Sequence, residues 1–170
     1  MYLSKQAGFV LGEEKMARVV PVTPTYASED LGRILALEQL QVEETVADLT
    51  EEQFAWRPNE KAKSALDIVW HLAVNTVPEK PATKDESLAA FRKAHEELQQ
   101  DIAVPGKLDE PLTWWTGDTM TYRAYIWSAI RHRCYHLGEL VYLRQVMGLD
   151  EPLYYHEAGW EPGREARKQS

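Results

Sequence analysis

His132 and His136 stand four residues apart in the stretch Arg131-His132-Arg133-Cys134-Tyr135-His136-Leu137-Gly138-Glu139-Leu140. The stretch lies within a run from Thr121 to Met147 that contains no proline. On a helix, residues at this spacing leave one face, one turn above the other. Neutral imidazole is a common protein ligand for zinc, nickel and iron(II). A catalytic zinc site takes three protein ligands and keeps one position open. The pair supplies two of them, aimed at the core, and needs a third from elsewhere in the fold. The competing reading is two core histidines satisfied by hydrogen bonds. Tyr125, Ala129, Leu140, Leu143 and Met147 mark an apolar stripe, and the histidines fall in its gap. Two unpaired imidazoles would be costly to bury there, which favours the metal.

The elements that must position such a site are helical. Leu31, Ile34, Leu35, Val42, Val46 and Leu49 repeat at helical spacing, with Ser28 as the expected cap. Glu38 interrupts this stripe. It snorkels, pairs with a buried cation, or serves the site. Thr50, answered by Glu52 and Gln53, predicts a short capped turn, with Trp56 pinning that loop to the core. Ser64 caps a second helix running to Val77 ahead of Pro78, apolar nearly all round. Its polar row is Asp67, His71 and Asn75, and on periodicity alone His71 reads as a rim histidine. A third helix spans 85–103, with His95 in a stripe slot where a hydrogen-bonded core histidine is expected. The link from Lys107 to Asp118 contains Trp114-Trp115 and a Gly117-Asp118 turn. Its length suggests a crossover, with room for a short hairpin. Gly148 stops the fourth helix.

The expectation is therefore an all-α four-helix bundle over 28–149, with a long crossover link before the last helix. Residues 1–27 read as an irregular N-terminal arm, and 150–170 as a C-terminal tail packing on the bundle. The chain has 170 residues, enough for one domain with a real core. Its net charge of −8 argues against nucleic acid and against anionic membrane surfaces. No window approaches the ~18 apolar residues of a spanning helix, and the N-terminus lacks a secretory pattern. A cytoplasmic location is the expectation. Cys134 is the only cysteine, so no internal disulfide and no cysteine-based zinc cluster is expected.

Three segments, in this order, carry a resemblance. They are Leu49-Thr50-Glu51-Glu52-Gln53-Phe54-Ala55-Trp56-Arg57-Pro58, then Ser64-Ala65-Leu66-Asp67-Ile68-Val69-Trp70-His71, then His132 to Leu140 with its histidines, Gly138 and Glu139. Together they resemble the DinB/YfiT-like superfamily of metal-dependent four-helix proteins, from about Leu31 to Gly148. The resemblance implies a metal triad of His71, His132 and His136. Glu139 stands where the family usually has glutamine.

What it implies about activity is a divalent-metal-dependent enzyme holding one ion of zinc, nickel or iron. Transfer of a low-molecular-weight thiol such as bacillithiol, mycothiol-dependent isomerisation, or hydrolysis by an activated water would fit. A low-molecular-weight thiol cosubstrate and a small-molecule substrate are the expected partners. The alternative is a non-catalytic metal-binding or stress-response module with a structural metal or none. Glu38, His95, Arg131 and Arg133 are possible catalytic helpers by residue type alone, the arginines being expected in solvent. Cys134 reads as packing rather than as a nucleophile. A homodimer through Trp114, Trp115 and Trp127 is a further expectation.

Overall fold

The computed structural model describes residues 26–114 and 117–150. The expected arm (1–27) and tail (150–170) lie almost wholly outside the described residues, as does Trp115. The elements are α1 (Ser28–Val46), α2 (Glu51–Ala55), α3 (Ala65–His71), α4 (Lys84–Ala103), a 3-10 turn (Lys107–Asp109), β1 (Pro111–Thr113), β2 (Thr119–Thr121) and α5 (Tyr122–Val146). The architecture is all-α, with one small antiparallel hairpin pairing Leu112 with Met120.

Local chemistry sets the boundaries. Thr50 and Ser64 each close a capping box, with Gln53 and Asp67 reaching back to the cap N–H. Thr83 and Thr121 cap α4 and α5. Ala27, not Ser28, occupies the cap position of α1, and no side chain caps it. Regular α3 ends at His71. Turns continue to Val77, where Ala73 N–H bonds Trp70 O at 2.9 Å and tightens the coil. Gly148, at φ 73°, closes α5. Its N–H bonds Gln145 O and the next N–H bonds Arg144 O, both at 3.0 Å, which satisfies two terminal carbonyls. Phe54 is fully buried and anchors the α2 loop, whereas Trp56 is 37% exposed.

Side-chain pairs give the helix directions. Glu38 meets Cys134 and Thr45 meets Arg144, so α1 and α5 run parallel. Glu43 meets Arg92 and Gly32 meets Gln99, so α4 opposes α1. Lys63 meets Glu139 and His71 meets His132, so α3 opposes α5. The link expected to be a crossover before the last helix therefore joins antiparallel helices, and it carries the hairpin across one end of the bundle. The lengthwise return is the earlier link, between parallel α3 and α4. There Lys80 comes back to Asp67 at the start of α3, at 2.5 Å.

The apolar core has two parts. One gathers Val42, Phe54, Val69, Phe91 and Leu140. The other gathers Leu31, Leu35, Ile102, Ile126 and Ile130. Each fully buried large side chain here contributes about 1.5–3 kcal/mol. Between the two parts, Glu38, His95, Arg133 and His136 are all buried. This polar layer interrupts the stripes of α1, α4 and α5 at one level of the bundle.

Candidate metal centre

The helices bring His71, His132 and His136 together, with one ligand atom of each within 4.8 Å of the others. His71 sits at the last residue of α3, and the other two lie one turn apart on α5. The Nε2 atoms of His71 and His132 are 3.2 Å apart, and those of His132 and His136 are 2.9 Å apart. Two nitrogens at ~2.0–2.1 Å from a tetrahedral ion stand about 3.4 Å apart, so the cluster has nearly the size such an ion requires. The rings meet edge to face, at 76–79° with centroids 4.5–5.0 Å apart, the splay expected of imidazoles converging on one point.

Only His136 is buried. His71 and His132 are exposed, so the cluster opens to solvent. This differs from the expectation of two histidines aimed at the core. In the first half of α5 the stripe is set one position over, through Ile126, Ile130 and Arg133, while Leu140 and Leu143 are buried as expected.

Glu139 fixes the inner imidazole. Its Oε2 accepts from His136 Nδ1 at 2.7 Å, which leaves the Nε2 lone pair facing the cluster. Lys63 stands 3.6 Å from the same oxygen. Glu139 thus holds His136 with a carboxylate. The neighbouring Gly138 is exposed, and a Cβ there would meet nothing within 4 Å, so internal packing does not demand glycine.

Electrostatics keeps the cluster neutral. Partial burial, then the neighbouring imidazoles and Lys63, push the His71 pKa down to about 4. Burial and His136 lower that of His132. Burial also lowers that of His136, with Glu139 opposing. Three uncharged imidazoles with converging lone pairs are the donor set that zinc, nickel and iron(II) accept.

The remaining candidates belong to the polar layer. Cys134 Sγ donates to Glu38 Oε1 at 2.7 Å, and burial with this carboxylate pushes the thiol up to about 12. Cys134 is nonetheless exposed, so it does not pack in the core as expected, and its high pKa keeps the thiol protonated near neutral pH. Burial raises the Glu38 pKa, while the Cys134 bond and Arg133 oppose it. Its Oε2 is buried with no hydrogen-bond partner among the described residues. His95, 6% exposed, accepts from Arg133 Nη1 at Nδ1, 3.3 Å away, and Gln99 stands 3.3 Å from its Nε2. It is the core histidine that periodicity predicts, and it does not join the triad.

Arg131 is exposed as expected, whereas Arg133 is 3% exposed and lies over the Phe91 ring. Sequence reasoning missed this burial. The signal was present in the i, i+4, i+7 spacing from Ile126 through Ile130 to Arg133, which only a shifted stripe reveals. Trp127 packs on Tyr26 and Trp114 on Tyr125, so both rings have partners within the chain.

A crystal structure assigned to the DinB family, from Exiguobacterium sibiricum, superposes on this chain with a TM-score of 0.64. The chain has a DinB-like fold. The match covers 74% of this chain and 95% of the other, at 15% identity. No family model and no curated protein matches the sequence. In this DinB-like bundle the triad lies where α3 meets α5, beside the polar layer. Among the described residues no helix is long and apolar enough to cross a membrane.

Proposed function

We propose that this chain is a divalent-metal-dependent enzyme whose ion is held by His71, His132 and His136 and whose open position faces solvent. The observation that carries the reading is the convergence of three neutral imidazoles at 2.9 and 3.2 Å with no further acidic, thiol or imidazole donor grouped with them among the described residues. A bound ion would supply stabilisation of a thiolate, or a water acidified to a pKa near 7.

The chain's own residues do the rest. Glu139 holds the His136 proton on Nδ1 and so presents Nε2. Against its partial burial, the His136 hydrogen bond and then Lys63 hold the Glu139 pKa below its ordinary value. Exposed His71 and His132 leave one side of the site open to a small molecule. Transfer of a low-molecular-weight thiol is the first reading, on the resemblance that the sequence carries. Hydrolysis by an activated water is the second, and it requires only the same open position.

Elemental analysis of protein purified without chelator tests the reading. About one divalent ion per chain is expected, with zinc, nickel or iron identified directly, and His132→Ala and His136→Ala should each abolish it. Metal content unchanged in both variants would overturn the triad. Turnover of an electrophile only in the presence of an added thiol would separate transfer from hydrolysis. Metal binding without either activity would leave the non-catalytic module as the better reading.

A further inference from the structure

A cavity of about 230 Å³ lies between α4, α5 and the turns after α3. Leu72 and Arg133, which directly follow His71 and His132 in the chain, stand in its wall. Tyr125 continues the histidine face of α5, and Asn75 lies one turn beyond His71. The three histidines themselves do not line the cavity.

Its wall carries both signs of charge. Arg133 is almost wholly buried, and among the described residues it forms no direct ion pair. Glu38 acts on it only at longer range, and its hydrogen bond goes to neutral His95. A guanidinium has several donors in a planar fork, so most of its capacity is left for whatever occupies the cavity. Burying such a group without a close anion is costly, and a carboxylate in the cavity would relieve that cost. Glu97 and Asp101 stand one turn apart on α4 and also line the cavity. Glu97 accepts from Thr76 Oγ1 at 2.7 Å and Asp101 accepts from the Tyr122 hydroxyl. Each carboxylate keeps lone pairs for another donor. Glu97 is exposed and Asp101 half-buried, so the negative charge sits toward the mouth and the positive charge sits deep.

We infer that this cavity binds a small zwitterion, its carboxylate on Arg133 and its ammonium between Glu97 and Asp101. The size agrees, because the volume falls below the roughly 300–1,000 Å³ of drug-sized sites. That the zwitterion is the substrate rests on the reading of the triad as the reaction centre, but its binding does not.

Calorimetric titration of the full chain with pentanoate, pentylamine and 5-aminopentanoate tests the inference. These probes share a chain length and differ in charge, and none is a strong chelator. The two-headed probe should bind about tenfold more tightly than either single-headed one, as charge-assisted hydrogen bonds at both ends require. Arg133→Gln should reduce 5-aminopentanoate to the affinity of pentylamine. Glu97→Gln, at an exposed position that leaves folding intact, should reduce it toward that of pentanoate. Equal affinities for the three probes, or no heat from 5-aminopentanoate at millimolar concentration, would overturn the inference. The same titration on His132→Ala separates the two proposals. Metal lost with the zwitterion preference retained leaves the cavity assignment standing alone. Metal retained in the wild type with no preference among probes removes only the cavity assignment.

Discussion

Two polar clusters grow from one turn of α5, and they solve opposite problems. His132 and His136 belong to a group of three neutral imidazoles that opens to solvent through exposed His71 and His132, with His136 buried behind them. Arg133 belongs to a group with Glu38 and His95 that lies between the two halves of the core and carries both signs of charge, with exposed Cys134 donating to Glu38 from its edge. The first lacks any cation among its own members and suits one from outside. The second holds its own cation, with Glu38 balancing it at a distance. Neighbouring residues on a helix thus diverge in role because each faces a different helix. The imidazoles meet α3, while Glu38 of α1 and His95 of α4 meet the cysteine and arginine.

The sharpest way to break this comparison is a pair of substitutions. His132→Ala should remove the metal while the chelated protein keeps its stability, since the histidine is exposed and its loss leaves no cavity. Glu38→Ala should do the reverse. Metal content should stay near one per chain, and stability should fall by about 3 kcal/mol, because a cavity forms and Cys134 and Arg133 lose a partner. Urea denaturation with parallel elemental analysis measures both. If the two variants lose metal alike, the clusters are one site rather than two.

A finer cut concerns Glu139. Glu139→Ala should weaken metal affinity by about 10–100-fold, the usual cost of losing a carboxylate behind a ligand histidine. Glu139→Gln keeps an acceptor for His136 Nδ1 and should lose much less. Competition against a chelator of known affinity reads the difference. Equal losses would mean that charge rather than the hydrogen bond does the work.

Acid should act on both clusters, with the same sign. His95 has a folded pKa of about 4 against an ordinary 6.5, lowered by burial and then by Arg133. His71 lies equally low. Between those values the unfolded chain binds protons that the folded chain refuses. The stability that these two imidazoles contribute to the chelated protein is therefore fully present above about pH 6.5 and falls as pH drops toward 4. His95→Gln should flatten part of that fall in urea denaturation compared near pH 7 and pH 5. An unchanged slope would show that His95 does not titrate in this window. The smallest effect expected is a control. Thr50→Ala removes the α2 cap and should cost about 1 kcal/mol without touching either cluster.

Much of this was legible along the chain, and the failures have physical causes. The capping boxes at Thr50 and Ser64 and the stop at Gly148 are local, made by residues within a few positions, so periodicity and cap chemistry predict them. Ser28 failed as a cap because side-chain capping depends on the backbone angle at which the chain enters the helix, and here Ala27 takes that place. The lengthwise return between α3 and α4 was not legible because link length cannot tell a lengthwise return from a hairpin laid across an end. Arg133 escaped because its stripe differs from the expected one by a single position, and a charged residue argues against itself as a core member.

The sequence by itself determined that the chain is helical, where most helices start and stop, and that two histidines share a face four residues apart. Helical repeat and capping act over one or two turns, and nothing distant is needed to read them. The resemblance of the sequence named His71 as the third imidazole, but only the tertiary structure decided which of the three is buried and that Glu139 rather than solvent holds His136. It also decided that an arginine one residue from a triad histidine would look into a cavity rather than into water. Those outcomes depend on the directions and registers of four helices at once. The contacts that set them join residues dozens of positions apart.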